Sequence, residues 1–174
     1  MKYLIYLTAL FSTLAYSANW EVEGDRAESN RKQNRTYASL YQVGWGENNI
    51  SGLSVHFYGH VKDTSPEALR FCPNVIGVKD DEFFLPDYSD ARIKIGGRYY
   101  FMQITCSKSF DYRNAVSINA TPKNWGENKS LLQSMVKSNS LYFLTTNISM
   151  IGFTNAVKEL EYIHRVPDYQ SVLN

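Results

Sequence analysis

The sequence predicts an α+β fold, mostly antiparallel β and sandwich-like, with two short C-terminal helices and one disulfide. Three observations carry the prediction. Apolar and polar residues alternate in several runs between Thr36 and Cys106, and Gly96-Gly97 joins two of them. Helical periodicity is confined to the stretch after Trp125, so strands precede helices and no βαβ alternation arises. The chain also opens with an export-type segment, which makes Cys72 and Cys106 disulfide partners by default.

Composition sets the outer bounds. With 174 residues, 44% of them hydrophobic, the chain has material for one domain with a real core. Aromatics reach 14%, mainly Tyr and Phe, residue types that favour strands. The 18 basic and 17 acidic residues nearly cancel, so neither nucleic acid nor an anionic membrane surface is implied as a partner.

In chain order, residues 1–17 read as a signal peptide. Lys2 supplies the positive start, Tyr3 to Leu14 an apolar run too short to span a bilayer, and Ala15-x-Ser17 the small residues of a cleavage site. Cleavage after Ser17 leaves 18–174 as a single exported β-rich domain, in the periplasm or secreted. No Cys follows the apolar run to take a lipid anchor, and no later run is long enough for a membrane span.

A short strand is expected near Trp20, and "EVEGDRAESNRKQNR" (21–35) reads as a solvated loop because it has no periodicity. "TYASLYQV", from Thr36 to Val43, alternates as a strand. "SGLSVHFYGHV" is a second, with Leu53, Val55 and Phe57 on one face. "NVIGVKDDEFFL" reads as a weaker strand-turn-strand closed by Pro86.

"ARIKIGGRYYFMQITC" is a β-hairpin, because two glycines tolerate the positive φ of a two-residue turn. That turn sets Ile95 opposite Arg98, Lys94 opposite Tyr99 and Ile93 opposite Tyr100. One face carries Ile93, Ile95, Tyr100, Met102, Ile104 and Cys106; the other carries Arg92, Lys94, Tyr99, Phe101, Gln103 and Thr105. The first is the core face, so Cys106 points inward, which suits a structural bridge to Cys72 better than a nucleophile partnered by a histidine. Closing that loop stabilises the fold by about 4 kcal/mol on the chain-entropy model.

Two helices follow. "ENKSLLQSMVKS" aligns Leu131, Leu132, Met135 and Val136, and "GFTNAVKELEYIHRVP" aligns Phe153, Val157 and Leu160 with Ala156 and Ile163 adjoining, before Pro167 ends it. "SLYFLTTNISM" between them reads as one strand.

Candidate motifs add little chemistry. "WGEN" occurs at Trp45–Asn48 and Trp125–Asn128, but the flanks disagree, one leading into a strand and the other into a helix. It is loop and helix-start chemistry rather than a duplicated module. His56 and His60 would share a metal on a helix, but four strand residues separate them by about 13 Å; they read as strand-surface histidines. His164 sits where a helix dipole favours it. Asp80, Asp81, Glu82, Asp87 and Asp90 lack the spacing and central glycine of a calcium loop and read as a solvated turn. No metal site, cofactor site or catalytic residue is assigned: there is no G-x-S-x-G, G-x-G-x-x-G or P-loop. Asn-x-Ser/Thr sequons stand at Asn34, Asn49, Asn119, Asn128 and Asn147.

The C-terminal half resembles the endings of two exported bacterial groups. From "RYYFMQITC" through a polar loop and short helix to "LYFLTTNISMIGFTNAVKEL", it is similar to the invasion-associated locus B proteins and to the periplasmic accessory proteins of type VI secretion gene clusters. The shared pattern is a hydrophobic strand and a helix start with Gly152, Phe153, Ala156 and Leu160. Members of the first group carry a second Cys soon after the strand, where this chain has Ser107, Lys108 and Ser109. The resemblance implies a non-catalytic, disulfide-bonded β-sandwich exported by a Gram-negative cell, with accessory roles in secretion or virulence.

Two function classes follow. One is a periplasmic protein-interaction module, of accessory or immunity type, that holds a protein partner through Arg92, Lys94, Tyr99 and Phe101, residue types that interfaces enrich; the alternative reading of that face is packing under the N-terminal strand. The other is a small exported hydrolase, which requires a cluster of Asp, Glu or His.

Overall fold

The structure, a computed structural model, describes residues 20–29, 36–45, 50–77, 87–109 and 112–164. The elements in chain order are β1 (Trp20–Glu23), β2 (Arg26–Ser29), β3 (Thr36–Trp45), β4 (Ile50–Lys62), α1 (Pro66–Phe71), β5 (Asp87–Ile95), β6 (Arg98–Lys108), β7 (Ala115–Pro122), α2 (Trp125–Val136), β8 (Ser140–Phe143), β9 (Thr146–Ser149) and α3 (Phe153–His164). Seven strands form one antiparallel sheet in the order β1-β2-β3-β4-β7-β6-β5, and β8-β9 form a separate two-stranded sheet. The expected signal peptide, 1–17, lies outside the described residues.

Strand alternation gives the large sheet one apolar face. Leu40, Leu53, Val55, Phe57, Met102, Ile104 and Ile118 are buried there. Helix α2 brings Leu131, Leu132 and Met135 into the same core, α3 brings Phe153, Val157 and Leu160, and the small sheet brings Leu141, Phe143 and Ile148. Phe57 and Phe143 meet at 5.0 Å between ring centroids.

The fold is therefore mostly antiparallel β with helices, as expected, but its second layer is not a second large sheet. Amphipathic helices and one hairpin supply enough apolar surface to cover a single sheet face. Nor are the helices two and C-terminal only. Helix α1 lies mid-chain and, at six residues, is too short to show periodicity; Ser65 caps it, its Oγ accepting from the Ala68 N–H at 3.1 Å, and Pro66 opens it.

Other departures share that cause. The segment 21–35 begins with a hairpin, β1–β2, turning at Gly24 (φ 65°). Its strands alternate Val22, Ala27 and Ser29 inward against charged residues, too briefly to register as a pattern. "SLYFLTTNISM" folds back as β8–β9 through Leu144-Thr145, and Leu144 adopts φ 51°, a turn conformation leucine does not advertise. Asn74–Gly77 form turns rather than a strand, and the rest of the expected strand-turn-strand (78–86) lies outside the described residues. Strand β7 was not anticipated. Ile163, placed beside the α3 stripe, is exposed.

Cys72, at the C-cap of α1, is bonded to Cys106 of β6, with Cα atoms 5.6 Å apart. Both are buried, so the bridge ties α1 to the core face of the sheet. At the other end of the sheet Trp20 ties β1 to the segment joining β9 and α3. Its indole N–H donates to the Ser149 carbonyl at 3.0 Å, its backbone N–H to the Ile151 carbonyl at 3.1 Å, and its ring meets Phe153 edge-on.

Candidate functional site

The β5–β6 hairpin has the expected register, with Ile95 opposite Arg98, Lys94 opposite Tyr99 and Arg92 opposite Phe101. Both turn glycines have positive φ, 56° at Gly96 and 90° at Gly97. Ile93, Ile95, Tyr100, Met102, Ile104 and Cys106 are buried. On the opposite face Arg92 and Lys94 are exposed, Tyr99 is 63% exposed and Phe101 37%. The structure thus brings the four predicted residues together as two adjacent cross-strand pairs, each a cation beside an aromatic ring. Asp90, next along β5, pairs with Lys123 at 2.9 Å, while neither Arg92 nor Lys94 has an ion-pair partner among the described residues.

A cleft of about 520 Å³ opens where this hairpin meets α1 and β8–β9. Phe71, Ile93 and Leu144 form its apolar lining, and Arg70, Glu67, Lys94 and Tyr142 its polar rim. The sequence concealed it because its walls come from three separated segments, one the unrecognised helix α1.

The outer face of β3 and β4 carries a second polar cluster. Tyr37 and Tyr58 are direct cross-strand partners and stack at 4.9 Å. Tyr41 and Tyr58 share a hydrogen bond that bridges the Ser39–His56 pair lying between them in the register. Ser39 is fully buried beneath, and its hydroxyl donates to Glu28 at 3.4 Å. Burial, reinforced by the bond to Tyr41, holds the Tyr58 hydroxyl well above its ordinary pKa. Burial alone pushes His56 down to about 4, with the Tyr41 ring edge-on at 5.0 Å. The alternation of β3 and β4 held the signal for this cluster: Tyr37, Ser39 and Tyr41 face His56 and Tyr58.

The remaining candidates are structural. His60 Nδ1 lies 3.0 Å from Ser117 Oγ and 3.1 Å from Ser109 Oγ; Ser117 is its direct cross-strand neighbour, which accounts for the contact. His56 and His60 are half-buried strand residues rather than freely solvated ones. His164 Nε2 lies 2.9 Å from the Asp25 carbonyl, tying the end of α3 to the β1–β2 turn. Asp87 accepts from Asn74 at 3.0 Å. Asp87 and Asp90 belong to β5, not to a turn, and Asp80, Asp81 and Glu82 lie outside the described residues. Among the described residues no three His, Cys, Asp or Glu groups converge as a metal site, and no described helix is long and apolar enough to cross a membrane.

The second "WGEN" starts α2 as expected. Asn124 caps it, its Oδ1 accepting from the Glu127 N–H at 3.0 Å. Trp125 is partly exposed and Asn128 fully buried. The first copy, after Trp45, lies outside the described residues.

No protein-family model, curated protein or solved structure matches the chain.

Proposed function

We propose that the chain is an exported, non-catalytic protein-interaction module, an accessory or immunity-type protein of a bacterial envelope, and that the outer face of β5–β6 holds its partner. The observation that carries this reading is the paired exposure of Tyr99 and Phe101 beside Arg92 and Lys94. Aromatic rings next to cations that have no ion-pair partner among the described residues, set on the end of a seven-stranded sheet, are what binding hot spots are made of. The signal-like residues 1–17, the disulfide and the resemblance of the C-terminal half to exported accessory proteins support the envelope setting.

The test is capture of partners from periplasmic extract by the immobilised oxidised protein, followed by affinity measurement on the protein recovered. Tyr99→Ala and Phe101→Ala should each weaken binding by about 1–3 kcal/mol while leaving the fold intact. Undiminished capture by the double variant would remove the hairpin face from the proposal. Capture of nothing by the native chain would remove the module itself.

A further inference from the structure

Strand β5 ends the seven-stranded sheet, and among the described residues only β6 pairs with it. In a two-residue hairpin the pair flanking the turn, Ile95–Arg98, is hydrogen-bonded, so the odd-numbered residues of β5 bond β6. The backbone groups of Tyr88, Asp90, Arg92 and Lys94 therefore point away from the sheet. Gly96, the next in that series, is already taken: its N–H donates to the Tyr142 carbonyl at 3.4 Å. Among the described residues the open edge thus runs from Tyr88 to Lys94, and its midpoint is Ala91.

An antiparallel strand added here about a two-fold axis at Ala91 would set residues i and 182 − i of the two copies opposite each other. Asp90 of one copy then faces Arg92 of the other, and Tyr88 faces Lys94; symmetry repeats both pairs across the axis. The first is a pair of opposite charges and the second places an ammonium on an aromatic ring. The neighbouring registers fail. Centring on Asp90 opposes two carboxylates, and centring on Arg92 opposes two guanidinium groups. All four side chains lie on the outer face with room to meet: Tyr88 is 66% exposed, and Asp90, Arg92 and Lys94 are exposed as well.

We propose that β5 pairs with the β5 of a second copy of this chain, antiparallel and centred on Ala91, joining two sheets into one. Charges on an edge strand ordinarily block such pairing. Here their order, negative before Ala91 and positive after it, makes the edge complementary to itself. The pairing leaves Tyr99 and Phe101 uncovered but engages Arg92 and Lys94, so it shares those two cations with the proposed partner face while needing neither aromatic ring.

Sedimentation of the oxidised chain across a concentration series tests this, with amide exchange followed residue by residue. Expected is a monomer–dimer equilibrium in which the amides of Tyr88, Asp90, Arg92 and Lys94 gain protection with concentration, while those of Ser89, Ala91 and Ile93 are protected throughout. Asp90→Lys or Arg92→Glu alone should weaken dimerisation roughly tenfold or more, and the double swap should restore it. Restoration is the decisive arm, because the double variant still lacks the Asp90–Lys123 ion pair. Tyr99→Ala should change nothing. A chain monomeric up to about 1 mM, a dimer indifferent to the swaps, or edge amides protected only by a different protein's peptide would each overturn self-pairing.

Discussion

Asn128, on helix α2, donates from its side-chain amide to the Leu53 carbonyl at 2.8 Å, and its Oδ1 accepts from the Val55 N–H at 3.3 Å. A helix side chain thereby stands in for a missing strand. Strand β4 pairs with β7 only from Phe57 onward, since beyond Ala120 strand β7 pairs only with β6, as far as Pro122 opposite Met102. Before Phe57, where β4 no longer pairs with β7, Asn128 thus gives the Leu53 carbonyl and the Val55 N–H a buried side-chain partner.

The first prediction follows from that substitution of partner. Asn128→Ala removes two buried hydrogen bonds to the β4 backbone, each loss costing about 1–3 kcal/mol, so stability should fall by about 2–6 kcal/mol in urea unfolding. Asn128→Asp keeps the acceptor but loses the donor and buries a charge, and should fare no better. A change under about 0.5 kcal/mol would show that water replaces the amide.

The covalent tie predicts its own signature. Native chain should label no thiol without reductant, since Cys72 and Cys106 are bonded. Replacing both by Ala should cost about 2–4 kcal/mol, because the unfolded chain regains the entropy of the open loop. Free thiols in native, exported protein would contradict the structure.

How much of this was readable in advance varies with segment length. The β5–β6 register was legible because the Gly96-Gly97 turn and the long alternation constrain each other. The α2 and α3 stripes were legible because 12 residues hold three turns of periodicity. Four-residue strands such as β1, β2, β8 and β9 carry too few positions to show alternation, and Leu144 hides a turn that Gly or Asn would announce. Asn128 was read as part of a helix start and a sequon. Its role depends on a gap in the sheet 75 residues away, which no local pattern encodes. As a fully buried residue it is also closed to glycosylation in the folded chain. The hairpin face was readable as a surface; the cleft beside it required knowing where α1 and β8–β9 pack.

A third prediction concerns acid. Burial disfavours the His56 cation and pushes its pKa down to about 4 in the folded chain, against 6.5 in the unfolded one. The unfolded chain therefore binds more protons between those values. Stability is intact above pH 6.5 and is lost as pH falls towards 4, by up to about 3 kcal/mol from this residue. His56→Gln should flatten that slope whatever it does to stability at pH 7. Urea midpoints at several pH values would show it, and an unchanged slope would place the acid sensitivity elsewhere.

The last prediction separates the two faces of the hairpin by stability alone. Ile104 is fully buried and Ile93 nearly so, each held on the core side by the register with the neighbouring strand. Ile104→Ala and Ile93→Ala should each cost about 2–5 kcal/mol, since the core closes only partly around the lost volume. Tyr99 stands on the opposite face with most of its surface in water, so Tyr99→Ala should cost less than about 1 kcal/mol. Phe101, more covered, should fall between. Because side-chain direction has a period of two, a slip of one residue would exchange the two sets of values. Thermal and urea unfolding of the four variants therefore tests the register itself. If Tyr99→Ala proves as costly as Ile104→Ala, the outer face is covered in solution, and no partner can reach the residues assigned to it.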